Sequence, residues 1–274
     1  MLMTKFLFNA LKRFPKLSHF LRSVRDLVDQ NKPVISTKWG FTLQGNEAMA
    51  LGQFEPDETR LVRQILLDVD ILVNIGANVG YYCCHALSLG KPVIAVEPIP
   101  RNVYYLIKNI ERNSWSKQAE IFPVALGSES CILSIWGSDT GASLVRGWAK
   151  IPETYVQQVP VLTLDRVLGS RLQNLRALIL VDIEGSEFTM LQGALATFEN
   201  NIRPIWMLEI TTYQNQPCGI AINPNFVQTF EIFFSHGYRA YLADALTAHE
   251  LLLADVIKIA EKQTNLKNYN FIFQ

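Results

Sequence analysis

The sequence predicts an α/β fold in which a mostly parallel sheet carries helices on both of its faces. Apolar strand-like runs alternate with helical stretches from residue 70 to residue 210, which is the order expected of such a sheet. The strand predicted at 70–76 ends in a glycine turn, and the next strand, at 92–97, ends in the carboxylate of Glu97. Proteins of this class bind ligands where their parallel strands end, so both features indicate a binding site at that edge.

The first half of the chain supplies three of the predicted parallel strands. A short strand is expected at 40–45, and a helix from 55 to about 67 has Pro56 in its first turn. Then come strands at 70–76, 92–97 and 119–126, separated by helices at 79–89 and 100–113. Residues 130–160 are strand-like and rich in loops, after which Thr163 can cap a short helix.

The second half continues the alternation to the end of the chain. Strands are predicted at 177–182, 205–210, 238–242 and 269–273, with helices at 186–198 and 224–235 and a helical excursion through about residue 262. Right-handed crossovers place the carboxyl ends of the parallel strands, and therefore Gly76, Glu97, Asp182 and Glu209, along one edge of the sheet. No internal repeat or low-complexity linker interrupts residues 36–274, so we expect a single domain there.

Residues 1–35 are predicted to form a basic, amphipathic helical extension. The first 30 positions contain six Lys and Arg residues and only two Asp residues. These charges are interleaved with Phe and Leu, and Pro15 interrupts the pattern. Packing of this segment on its own domain is the favoured interpretation. Contact with an anionic membrane surface or with a partner protein is the alternative.

The composition favours a folded cytoplasmic protein that does not bind nucleic acid. The 274 residues are 49% hydrophobic and 18% charged, and the net charge is zero, so no basic surface is expected to attract a polyanion. The four cysteines lack the spacing of a zinc site or a disulfide framework. We also find no membrane span and no cleavable signal sequence.

The turn that follows the strand at 70–76 favours a ligand without a pyrophosphate. A dinucleotide fingerprint would place glycine at positions 78 and 81, where this chain has Asn78 and Tyr81. A side chain at 78 narrows the space for a pyrophosphate, which favours S-adenosylmethionine over a nicotinamide cofactor. Glu97 lies 21 residues after Gly76, close to the spacing at which a carboxylate can accept hydrogen bonds from ribose hydroxyls.

Carboxylates at the ends of two later strands are the candidates for chemistry. Asp182 and Glu184 follow a buried strand, where a carboxylate can act as a base or orient a substrate. Glu187 falls in the first turn of the next helix and can be structural, while Glu209 needs either a basic partner or a ligand. Three of these acids could bind a divalent cation, but nothing in the spacing fixes three ligands on one metal, so no metal is expected.

Several segments together resemble the FkbM family of S-adenosylmethionine-dependent methyltransferases. They are 52–56, 72–82, 96–98, 123–127, 162–165, 182–187 and 270–273, and the resemblance covers about residues 36–274. It implies a Rossmann-like class I methyltransferase fold, with a seven-stranded, mostly parallel sheet whose last strand is antiparallel. It also implies O-methylation of a hydroxyl on a sugar, a glycan or a secondary metabolite.

The resemblance assigns roles to individual residues. It places Gly76, Asn78 and Gly80 against the methionine part of the cofactor, Glu97 on the ribose and Ala125 with Leu126 beside the adenine; Asp182 and Glu184 then face the methyl-transfer centre. The chain departs from the family at Asn74, where an acid is usual, and at Leu180, where a lysine is frequent. Asn74 can still hydrogen-bond the turn or the cofactor amino group, but without a negative charge. The alternatives are a nucleoside-binding homologue without catalysis and, less favoured, a nicotinamide-dependent oxidoreductase.

Overall fold

A computed structural model describes residues 32–243, 250–261, 266 and 269–274. The predicted extension at 1–35 lies outside the described residues except for its last four positions, and so do parts of the excursion predicted before residue 262. The described strands are β1 Ile35–Ser36, β2 Thr42–Leu43, β3 Ile71–Ile75, β4 Val93–Val96, β5 Ala119–Phe122, β6 Ala125–Leu126, β7 Cys131–Trp136, β8 Val156–Leu162, β9 Ala177–Val181, β10 Ile205–Glu209, β11 Ala240–Leu242, β12 Glu250–Leu251 and β13 Asn270–Phe273. The described α-helices are α1 Glu47–Ala50, α2 Pro56–Ile65, α3 Tyr81–Ser88, α4 Pro100–Arg112, α5 Leu164–Leu168, α6 Glu187–Leu191, α7 Leu195–Phe198, α8 Phe226–Ser235 and α9 Leu253–Ala260.

The central sheet has the strand order β12-β11-β13-β10-β9-β3-β4-β5. Strands β10, β9, β3, β4 and β5 are parallel to one another, and β13 is antiparallel to both β10 and β11. The mostly parallel sheet and the antiparallel last strand are therefore confirmed. Eight strands are described rather than the predicted seven, because the two-residue strand β12 pairs with β11 at the edge.

Alternating side chains along the strands create two apolar layers. Val73, Val181 and Leu208 face one layer, where they pack with residues of α5, α6, α7, α8 and α9. Leu72 and Met207 face the other layer, with residues of α2, α3 and α4. Helices therefore cover both faces, as the near-continuous apolar runs of the strands predict.

Two predicted elements are each split in the structure. The strand predicted at 119–126 divides at Pro123, which has no N–H for a ladder: β5 stays in the central sheet, whereas β6 pairs with β8 in a separate three-stranded sheet. The helix predicted at 186–198 divides into α6 and α7. Gly193 lies so close to Gly127 that a Cβ would overlap the Gly127 oxygen, and the Asp165 carboxylate accepts the amide N–H groups of Ala196 and Thr197 at the start of α7.

Candidate functional site

A cavity of about 260 Å³ opens at the edge where the parallel strands end. Five elements or turns of the central sheet region contribute to its wall: the end of β3 with its turn, the end of β4, the β9–α6 turn, the end of β10 and the first residues of α3. Strand β6, the end of β7 with the loop after it, the segment from α1 to Glu55 and Asn270 of β13 also contribute. The sequence-predicted candidates Asn74, Gly76, Asn78, Glu97, Ala125, Leu126, Asp182 and Glu184 all line this cavity, and Gly80 does not.

The glycine turn brings the ends of three strands together. The amides of Gly76 and Ala77 both donate to the Val96 carbonyl, at 2.9 and 3.0 Å. Gly76 has φ +83°, and a Cβ there would overlap the main-chain oxygen of Asp182, so only glycine allows β3 to approach the β9–α6 turn. Asn78 is also left-handed (φ 50°), and its Oδ1 is buried without a hydrogen-bond partner among the described residues. The turn therefore offers an acceptor that a ligand can use.

Gly80 serves internal packing instead of the cavity wall. It precedes α3 with φ +87°, and a Cβ would lie 2.5 Å from Leu106 Cδ1 on α4. The close approach of α3 to α4 accounts for this glycine. Its predicted contact with a cofactor is not favoured by its position.

Glu97 is 4% exposed and firmly held at the cavity wall. Its Oε2 accepts the Asn78 amide at 2.8 Å, and its Oε1 accepts the Ile99 amide at 2.9 Å and the Asn102 side-chain amide at 3.2 Å. These donors fix the orientation of the carboxylate. Glu97 also links the first glycine turn to the start of α4, so the turn and the acid form one unit.

An apolar wall lies beside Glu97. Ala125 and Leu126 of β6 are buried, and they line the cavity together with Ile99 and Ile135. Such a surface can pack against the face of a planar ring.

The two positions that depart from the family pattern lie next to each other. Asn74 pairs with Leu180 in the parallel β3–β9 register, and both side chains line the cavity. Asn74 is 3% exposed and its Nδ2 donates to Cys83 Sγ at 3.4 Å. Its Oδ1 accepts no hydrogen bond from a described residue.

Asp182 and Glu209 lie side by side at the ends of β9 and β10. The register Val181–Leu208 places them together, and both line the cavity. Asp182 is open to the cavity but lies deep in the protein; burial, and then the neighbouring carboxylates of Glu209 and Glu184, raise its pKa well above the ordinary range. Burial also raises the pKa of Glu209 to about 7. Neither carboxyl accepts a hydrogen bond from any residue that the structure describes.

Glu184 has a different environment, because it fastens a loop. Its Oε2 accepts the indole N–H of Trp148 at 2.6 Å, and its main-chain oxygen accepts the Ser143 hydroxyl at 2.6 Å. The Trp148 ring covers Gly185, where a Cβ would lie 2.5 Å from a ring atom. Burial raises the pKa of Glu184, and the Trp148 hydrogen bond opposes that rise. Glu184 therefore holds the loop after β7 against the β9–α6 turn.

The sequence alone allows two interpretations of three aromatic side chains: they stack on a sugar or they belong to the core. These side chains are Trp136, Trp148 and Tyr155. None of them is among the described residues that line the cavity. Trp148 is 2% exposed and packs on the turn. Glu187 also proves to be structural: it is buried and accepts the Gly185 amide at 2.9 Å, while burial raises its pKa to about 7.

Sequence analysis missed the pair formed by Glu55 and Tyr82. Tyr82 donates its hydroxyl hydrogen to Glu55 Oε2 at 2.9 Å, and both residues line the cavity. Glu55 immediately precedes α2 in a left-handed conformation (φ 40°), which turns the chain toward the cavity. In the sequence, segment 52–56 contributed to the family resemblance and the Glu-Pro pair indicated the start of a helix, but neither indicated that Glu55 faces the cavity.

The charge of the cavity wall has one sign. Five carboxyl side chains line it, those of Glu55, Glu97, Asp182, Glu184 and Glu209, and none of the described lining residues is Lys, Arg or His. Among the described residues, no group of three or more His, Cys, Asp or Glu side chains is arranged to hold a metal ion. The arrangement is suited to a ligand that carries positive charge or donates hydrogen bonds, and it opposes a phosphate.

The sequence model of the methyltransferase FkbM domain matches residues 74–240, which include most of the residues that line this cavity. The chain belongs to the FkbM methyltransferase family. The match confirms the family that the sequence motifs indicate and, with it, the predicted class I methyltransferase fold.

Solved structures of methyltransferases are similar to this FkbM-family protein over most of its length. A methyltransferase FkbM from Methylobacillus flagellatus KT is 17% identical, with a TM-score of 0.45; the match covers 76% of this chain and 44% of that chain, so the chain corresponds to less than half of that protein. An O-methyltransferase from Bacillus cereus, in complex with SAH, is 12% identical, with a TM-score of 0.43 and 80% of each chain covered. No curated protein matches the chain. Within the described part of this FkbM-family protein, no helix combines the length and apolar character needed to span a bilayer.

Proposed function

We propose that this FkbM-family protein binds S-adenosylmethionine in the cavity and transfers its methyl group to a hydroxyl of a small molecule or saccharide. The observation that carries the proposal is the charge of the cavity: five carboxyl groups and no basic group among its described lining residues. A sulfonium and an ammonium are favoured in such a cavity, whereas the pyrophosphate of a nicotinamide cofactor would meet repulsion.

The residues present fit this cofactor. Asn78 Oδ1 is a buried acceptor without a described partner, beside the turn that would hold the methionine part together with Asn74 and Gly76. Glu97 would accept hydrogen bonds from the ribose hydroxyls, and Ala125 and Leu126 would pack against the adenine. Asn74 brings an amide where the family usually has an acid, so other carboxylates of the cavity would balance the ammonium.

S-adenosylmethionine supplies a methyl group that is already activated by its sulfonium. The protein therefore contributes mainly by holding the acceptor hydroxyl in line with that methyl group and by keeping water away. Trp148 and Glu184 contribute to this by fastening the loop that carries the lining residues Thr140, Ala142 and Leu144.

Asp182 is the favoured group for accepting or orienting the hydroxyl proton. It is open to the cavity, no described residue donates to it, and its raised pKa makes its carboxylate a better base than an aspartate with an ordinary pKa. Glu184 was an equal candidate from the sequence. Its hydrogen bond with Trp148 makes it a positioning residue in our proposal, with Asp182 as the catalytic residue.

The test is methyl transfer to a panel of hydroxylated sugars and metabolites, followed by the release of S-adenosylhomocysteine. Asp182→Asn should lower kcat by about 100-fold or more, which is the usual contribution of a positioned acid or base, and should leave the Kd for S-adenosylhomocysteine within about threefold. Glu199→Gln, which alters an exposed acid that is not among the residues lining the cavity, is the matched control. An unchanged kcat in Asp182→Asn would remove Asp182 from catalysis. Cofactor binding without any transfer would favour the non-catalytic homologue.

A further inference from the structure

One end of the cavity contains hydrogen-bond acceptors that lack matching donors. We call the group formed by Glu55, Asp182 and Glu209 the acidic end. Tyr82 supplies Glu55 with one hydrogen bond, but no described residue donates to the side chains of Asp182 or Glu209. Glu55 and Glu209 are partly buried and Asp182 is exposed to the cavity, so a ligand that enters the cavity can donate hydrogen bonds to them.

Asn74 provides a further acceptor without a donor. It is 3% exposed and lines the cavity, and its Oδ1 accepts no hydrogen bond from the described residues. An amide oxygen in this position is satisfied by a donor that enters the cavity. Acceptors from β3, from β10 and from the residue after β9 thus face one volume.

We propose that the acidic end selects the methyl acceptor by charge: it binds acceptors that present hydroxyl or ammonium groups and rejects those that carry a carboxylate or phosphate there, with Glu209 as the selecting residue. This proposal rests on the proposed function, because it places the acceptor beside Asp182. It adds a discrimination that the family assignment does not contain.

Glu209 is singled out because each of the other two acids is already engaged. Asp182 has the proposed catalytic role, and Tyr82 holds Glu55. Glu209 is the last residue of β10 and is opposite Asn270 in the antiparallel β10–β13 register, so its side chain projects from a rigid position. The acidic groups whose charges act on it are Asp182, Glu184, Glu187, Glu55 and Glu58. None of the described residues that line the cavity is Lys, Arg or His, so an anion brought close to Glu209 meets repulsion.

The test uses probes that reach the acidic end from the cofactor site. They are analogues of S-adenosylmethionine in which nitrogen replaces sulfur and carries a 3-aminopropyl, 3-hydroxypropyl or 2-carboxyethyl chain in place of the methyl group. Binding is measured by calorimetry for the wild type, for Glu209→Gln and for Glu231→Gln, a control in which an exposed acid on α8 is neutralised. S-adenosylhomocysteine is titrated in parallel into every variant.

At pH 8 the carboxyethyl probe should bind the wild type at least about tenfold more weakly than the aminopropyl and hydroxypropyl probes, a difference of about 1.4 kcal/mol. Glu209→Gln should reduce the ratio between the carboxyethyl and aminopropyl probes at least fivefold, and Glu231→Gln should leave it unchanged. Because burial raises the pKa of Glu209 to about 7, the ratio should also grow between pH 6 and pH 8 as this group ionises.

Each other result contradicts the proposal in a recognisable way. Equal affinities for the three probes, or a ratio that Glu209→Gln does not alter, would overturn charge selection while S-adenosylhomocysteine binding shows that the cofactor site is intact. Failure of S-adenosylhomocysteine and of all three probes to bind would instead refute the proposed function, and charge selection with it.

Discussion

Trp148→Phe should loosen the loop that covers the β9–α6 turn. The substitution removes the indole N–H that lies 2.6 Å from Glu184 Oε2, but it keeps an aromatic ring over Gly185. A hydrogen bond to a charged group contributes about 1.5–3 kcal/mol. Because Trp148 is 2% exposed and the smaller ring also leaves part of its site unfilled, we expect the free energy of unfolding to fall by at least about 2 kcal/mol at pH 8.

The effect should depend on the ionisation of Glu184. The indole donor stabilises the ionised carboxylate and therefore lowers its pKa, against the rise that burial causes. The pKa of Glu184 should rise further in Trp148→Phe. The loss of stability should be larger at pH 8 than at pH 5, where the carboxyl is more often protonated and the hydrogen bond loses its charge assistance.

A double-mutant cycle isolates this contact. The free energy of unfolding in urea is measured for Trp148→Phe, Glu184→Ala and the double variant, with Trp115→Phe in place of Trp148→Phe as the control pair. The Trp148–Glu184 coupling energy should exceed about 1 kcal/mol, and the Trp115–Glu184 coupling should be close to zero. A Trp148–Glu184 coupling below about 0.5 kcal/mol would show that Glu184 does not hold the loop.

Two further variants test the turn and the buried acids. Gly76→Ala should destabilise the fold by more than about 3 kcal/mol, because its Cβ would overlap the Asp182 main-chain oxygen. The control is Gly90→Ala, which is also at positive φ but has nothing within 4 Å of its Cβ, and it should cost about 1 kcal/mol. Equal losses of stability in thermal denaturation would contradict this prediction. The pKa of Glu209 is raised from about 4.5 to about 7, so the folded state holds a proton that the unfolded state loses, and the free energy of unfolding should fall as the pH rises from 5 to 8. Glu209→Gln should reduce this fall by about 2 kcal/mol, and an identical pH profile would refute the assignment.

The strands that carry the site could be predicted from sequence within one or two residues. Strands β3, β4, β9 and β10 are apolar runs interrupted only by Asn74 and by the terminal Glu209, because both faces of a parallel sheet are covered. Since the ends of such strands meet at one edge, the proximity of Gly76, Glu97, Asp182 and Glu209 followed from topology alone.

The breaks within predicted elements depended on contacts distant in sequence. The division between α6 and α7 requires the main chain of Gly193 to approach Gly127 and the Asp165 carboxylate to cap the second helix. Local secondary-structure propensity cannot indicate either of these contacts. Strand β12 is only two residues long, too short for an alternating pattern to be visible.

The same limit explains which site contacts were missed. The distinction between Asp182 and Glu184 depends on Trp148, which a loop of irregular structure places against the turn. The participation of Glu55 depends on its left-handed backbone and on Tyr82. Residue types and spacing identified the carboxylates, but their hydrogen-bond partners come from the three-dimensional arrangement.

The most direct test of the central claim is a calorimetric titration of the protein with S-adenosylhomocysteine and with NADH, repeated with Glu97→Gln after thermal denaturation has shown that the variant folds. The acidic cavity predicts micromolar binding of S-adenosylhomocysteine, weakened at least about tenfold in Glu97→Gln, and no binding of NADH. Absence of S-adenosylhomocysteine binding to the wild type, or binding of NADH instead, would contradict the account.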